Sequence, residues 1–184
     1  MPGHFPGTVI ETSKLSEDAS RTLFNGIFAG GGIALSQVSS MTGLEPHVIQ
    51  NWVKRGFVTS PVKRTYSPKQ FARIIIINML RQTMQIEQIT GLLSHINGVL
   101  SDESDDMIAD DELYHMYVEV ASVLEAGEFS DSAVSAACEN AAKDFTEPQP
   151  GARQKLCSVL KIMAYAHIAS VASQRSLELL ASLD

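Results

Sequence analysis

The chain lacks most of what export, redox chemistry or catalysis would require. It has two cysteines, Cys138 and Cys157, and no CxxC pair, which predicts free thiols in a reducing cytoplasm rather than a disulfide framework. No apolar run approaches the ~20 residues that span a bilayer; the isoleucines at 74–77 are far too short. No basic region followed by an apolar core opens the chain, so neither an export signal nor a membrane partner is expected. Gly30, Gly31 and Gly32 have no GKS or GKT after them, so they are expected as a hinge, not a phosphate loop. His95, His115 and His167 fall on separate predicted helices without paired spacing, and no metal or cofactor is expected. The acidic stretch SDESDDMIADDE at 101–112 lacks the Gly and the later Glu of an EF-hand. No Ser/His/Asp or Cys/His arrangement is visible, and an enzyme is not expected.

Net basicity is missing too. Fourteen Lys and Arg face 21 Asp and Glu, for a formal charge of −7. The distribution is uneven. Residues 46–86 hold Lys54, Arg55, Lys63, Arg64, Lys69, Arg73 and Arg81 and no acid, whereas residues 102–147 hold fourteen acids and only Lys143. Half of the basic residues therefore lie in less than a quarter of the chain. A local positive patch is what a phosphate backbone responds to, and a net charge averages it away.

What is present centres on residues 35–58, LSQVSSMTGLEPHVIQNWVKRGFV. Two short helices are predicted around a break at Thr42-Gly43, since Gly tolerates the left-handed conformation that ends helices. The second starts at Pro46, runs to Arg55 and stops at Gly56. Val48, Ile49, Trp52 and Val53 share one face by the helical period; His47, Gln50, Asn51 and Lys54 share the other. That outer face has two amides, an imidazole and a cation, with no carboxylate after Glu45. Asn and Gln can bond an adenine edge twice, and Lys or Arg can reach guanine or phosphate. The competing reading is a polar, solvated face on a structural hairpin.

The order helix, Gly turn, Pro- and Trp-containing helix, Gly, short basic loop and Tyr66-Ser67-Pro68 helix resembles the MerR family of helix-turn-helix regulators over roughly residues 33–100. Val48 to Trp52 stand where that family has Thr-Leu-Arg-Tyr-Tyr, and Gly56, Phe57 and Val58 where it has Gly-Leu-Leu. The family's Arg and first Tyr are Gln50 and Asn51 here, and the wing is shorter, with Lys63-Arg64-Thr65 leading straight to Tyr66. The resemblance implies an outlying member from an uncharacterised family, with DNA contacts at His47, Gln50, Asn51, Lys54, Arg55, Lys63, Arg64 and Tyr66.

Elsewhere, residues 1–14 show no period and are expected as an arm, and residues 16–28 as an amphipathic helix. Ser67-Pro68 caps a helix ending near Thr83. Ile75 and Ile76 exceed its single stripe, which predicts burial on two sides. Helices are further expected over 86–100, 108–124 (ended by Gly127), 130–145 and 152–183. The expected architecture is all-α: an N-terminal arm and helix (1–32), a MerR-like DNA-binding domain with a short wing (33–100), and an acidic helical bundle domain (101–184). The first functional expectation is a cytoplasmic, sequence-specific transcriptional regulator of double-stranded DNA, with a homodimer contact or an effector or protein partner at the C-terminal domain. The alternative is a winged-helix interaction module that does not bind DNA.

Overall fold

A computed structural model describes residues 3–98, 100, 106–126 and 129–183. The acidic stretch at 101–105 and Gly127, expected as linker and helix stop, lie outside the described residues. The fold is mostly helical, as expected: the described residues form eight helices with two small antiparallel ribbons. They are β1 (Gly3–His4), β2 (Glu11–Thr12), α1 (Glu17–Ile27), β3 (Ile33–Ala34), α2 (Leu35–Thr42), α3 (Pro46–Lys54), β4 (Thr65–Tyr66), α4 (Pro68–Leu80), α5 (Ile86–Asn97), α6 (Asp110–Ala126), α7 (Asp131–Ala141) and α8 (Ala152–Ala181).

Helix α4 is the axis of the molecule. Ser67 and Gln70 form a reciprocal capping box at its start, and all four isoleucines at 74–77 are fully buried. Packing of α2, α5, α6 and α8 around α4 explains the surplus isoleucines. The helix stops at Leu80, short of Thr83, where the chain tightens and the Thr83 N–H donates to the Leu80 carbonyl three residues back at 3.0 Å.

The N-terminal segment, expected as an arm, is packed onto the body. Phe5 is buried, and the Tyr114 hydroxyl donates to the Pro6 carbonyl at 2.8 Å. Asn78 donates to the carbonyls of Gly7 and Thr42 at 2.9 and 3.1 Å, tying the segment to α2. Gly7 has φ 75°, and a Cβ there would collide with the Ile75 carbonyl. A sequence without hydrophobic period is therefore held by long-range backbone contacts.

One hydrophobic cluster runs from Phe5 to Ala166, and α6 packs on α1, α4, α7 and α8. The boundary expected near residue 100 falls inside this shared core. Arg21 reinforces the α1–α6 contact, reaching Glu112 at 2.6 Å and Glu17 at 2.8 Å. Helix α8 is long and apolar enough to cross a bilayer by length and composition alone, and only part of it is buried against the body. Interspersed Ser, Gln and His hide it from a search for unbroken apolar runs.

Candidate nucleic-acid interface

Helix α2 fixes α3 through a rigid turn. Gly43 takes φ 69° at the end of α2, and the Ser39 hydroxyl donates to the Leu44 carbonyl at 2.6 Å. Pro46 opens α3. Ile49 is fully buried and Trp52 is 5% exposed, while His47, Gln50, Asn51 and Lys54 all lie exposed on the outer side. The two faces fall where the helical period puts them.

Arg55, the C-cap of α3, is exposed but engaged. Its guanidinium pairs with Glu87 at 2.9 Å and lies 4.5 Å from the Phe57 ring centroid. An exposed pair of this kind contributes little stability, but it places a carboxylate beside the outer face that the sequence segment itself lacks.

The loop from α3 to β4 is pinned from α4. Gln70 Nε2 donates to the Thr59 carbonyl, the Thr59 hydroxyl and the Ser60 carbonyl, each at 3.0 Å. Arg73 Nε donates to the Phe57 carbonyl at 2.8 Å. Beyond this anchor the chain reverses over Val62-Lys63-Arg64-Thr65, closed by the Thr65 N–H on the Val62 carbonyl at 2.9 Å. β4 then pairs with β3, Ile33 opposite Tyr66 and Ala34 opposite Thr65. This is the short wing.

Lys63 and Arg64, at the tip, have φ 50° and 66°. A two-residue hairpin with both central φ values positive ordinarily uses Asn-Gly or Gly-Gly. Left-handed backbone costs an L-residue about 1–2 kcal/mol, and strain of this kind clusters at functional sites. Both side chains are exposed, and neither they nor Lys54 form an ion pair among the described residues.

Two expectations need correction. Tyr66 is 3% exposed and its hydroxyl pKa is raised by burial; it belongs to the core beneath the wing, because the β3–β4 pairing turns its ring inward. The basic patch is also smaller than the sequence count. Arg73 is 5% exposed, and its Nη1 donates to Asp110 at 3.0 Å. Asn97 donates to the other Asp110 oxygen at 3.2 Å and accepts from the Ile108 N–H at 3.3 Å. Burial raises the Asp110 carboxyl pKa while Arg73 and Asn97 pull it down. One signal for this network was available: a lone Arg among isoleucines on a buried helix needs a partner. Its identity, 37 residues away, was not.

Of the sequence-derived site, His47, Gln50, Asn51, Lys54 and Arg55 share one exposed helix, and Lys63 and Arg64 share the hairpin tip. Residues 32–117 match the model of a domain of unknown function (DUF1836). The match takes in the wing, α2 to α5 and the first part of α6, including Asp110. No curated protein and no solved structure matches the chain. The resemblance to MerR-like regulators gains no support from these comparisons.

Proposed function

We propose that this protein is a sequence-specific regulator that binds double-stranded DNA with α3 in the major groove and the 62–65 hairpin tip on the flanking phosphates. One observation carries the reading: an exposed, amide-bearing helix face with no carboxylate of its own and an exposed, strained Lys63-Arg64 tip, with Lys54, Lys63 and Arg64 in no ion pair among the described residues. In this reading Gln50 and Asn51 supply base-edge bonds, and Lys54, Lys63 and Arg64 supply phosphate contacts. Arg55 is a conditional contact, available only when it leaves Glu87.

A second reading keeps the winged helix as a protein-interaction module without DNA. It is favoured by the engagement of Arg55 and Arg73 with Glu87 and Asp110, which leaves few cations for a phosphate backbone. Fluorescence anisotropy on mixed-sequence duplexes separates the two. About three phosphate contacts per copy give a log–log salt slope of about −3. No binding at low salt would leave the interaction module standing.

A further inference from the structure

A cleft of about 590 Å³ lies beside the wing, within the size range of small-molecule sites. Five stretches of chain line it: the turn at 28–32, the loop and hairpin at 59–65, the head of α4, the end of α5 and the approach to α6. The glycine turn expected as a hinge is part of its wall. Gly31 has φ 103°, and a Cβ on Gly32 would lie 2.7 Å from the Thr65 hydroxyl oxygen. Both glycines contribute backbone only, which leaves this side of the cleft unfilled.

One buried polar group of the lining has a donor to spare. Arg73 is 5% exposed; the Phe57 carbonyl takes its Nε and Asp110 its Nη1, while its Nη2 has no hydrogen bond among the described residues. The neighbouring buried amides are engaged at both ends. Gln70 accepts from the Ser67 N–H and donates to Thr59 and Ser60; Asn97 donates to Asp110 and accepts from the Ile108 N–H. A buried donor left without an acceptor costs stability, and a ligand oxygen would supply one. Phe28, Leu93 and Leu100 add apolar surface to the same cleft. Formal charge in the lining cancels, Arg73 and Lys69 against Asp106 and Asp110. A carboxylate or phosphate would share this partly buried site with Asp110, a like charge that disfavours it, so an uncharged acceptor fits better.

We infer that the cleft binds an uncharged small molecule with a largely apolar body and a carbonyl oxygen that accepts from Arg73 Nη2. The site is independent of the DNA reading, because no residue of α3 lines it.

The probe is prodan, an uncharged dimethylaminonaphthalene ketone whose emission reports apolar surroundings. Titrated against the full chain without DNA, it should show saturable binding with one molecule per chain. The parent dimethylaminonaphthalene, which lacks the ketone, and the corresponding naphthoate, which has a carboxylate in its place, should each bind about tenfold more weakly. Ser60→Trp and Ser94→Trp fill the cleft from exposed positions on the loop and on α5. Each should abolish saturable prodan binding and leave the thermal melt unchanged. Ile162→Trp, in the shallow groove that α8 forms with Thr83 and Met84, should leave binding as it is. Arg73→Lys keeps a cation for Asp110 but has no Nη2, and it should erase the preference for the ketone over the parent compound. No saturable binding up to the solubility of prodan, binding that survives both serine variants, or binding that Ile162→Trp removes would overturn the proposal. So would a naphthoate that binds as tightly as prodan, which would make the ligand an anion, or a parent compound that does, which would remove Arg73 from the site.

Discussion

Arg64 and Arg73 lie nine residues apart in the same acid-free segment, and the fold treats them oppositely. Arg73 is buried between the Phe57 carbonyl and Asp110. Arg64 stands at a hairpin tip with φ 66°, exposed and without an ion pair among the described residues. One cation organises the interior; the other is held outward at a conformational cost. Counting charges along a segment therefore overstates its field. What matters to a polyanion is the subset that remains solvated and without an ion pair among the described residues, here Lys54, Lys63, Arg64 and Arg81, the last bonded to the Asn78 side chain.

The largest expected effect removes the inward cation. Arg73→Ala leaves Asp110 buried without its charge partner, and breaking such a pair destabilises by about 3–5 kcal/mol. Urea unfolding monitored at Trp52 measures it, and a midpoint that scarcely moves would break the contrast between the two arginines. Next comes base reading. Asn51→Ala should reduce discrimination between cognate and altered duplexes by about 1–3 kcal/mol, with stability nearly unchanged because the side chain is exposed.

The sharpest comparison concerns the tip. Replacing Lys63-Arg64 by Asn-Gly supplies residues that accept positive φ, so stability should rise by about 1 kcal/mol while DNA affinity and the salt slope fall. If stability and affinity fall together, the strain at the tip is not linked to binding.

The smallest effect is a pH dependence. Burial and then the Arg21 charge hold the His115 imidazole below its ordinary value of 6.5, and burial alone does so for His167. Below about pH 6.5 the unfolded chain takes up protons that the folded chain refuses. Their contribution is therefore complete above that pH and fades as the pH falls through the folded values. Melting temperatures at pH 7.5 and 5.0 should differ less for His167→Phe than for the parent.

Much of the local structure was legible from the sequence. The Gly43 break, Pro46 start, Ser67-Pro68 cap and opposed faces of α3 all follow from short-range chemistry. The four isoleucines correctly called for burial on two sides. What was not legible depends on pairing across the chain. Asp110 neutralises Arg73, Glu87 engages Arg55, and Asn78 ties down the N-terminal segment, and none of these contacts leaves a period. Tyr66 was misplaced because its side follows from the register with Ile33, a strand only two residues long.

Gln70 has a dynamic consequence. Its side-chain oxygen accepts from the Ser67 N–H at 2.9 Å, while its nitrogen holds Thr59 and Ser60. One amide thus belongs both to the first turn of α4 and to the loop behind the hairpin tip. Neither can fray without releasing the other, so the two open as a single cooperative unit. The tip is then expected to open as a lever hinged at the head of α4, not as a flap. In hydrogen exchange, Gln70→Ala should loosen both ends of that lever together.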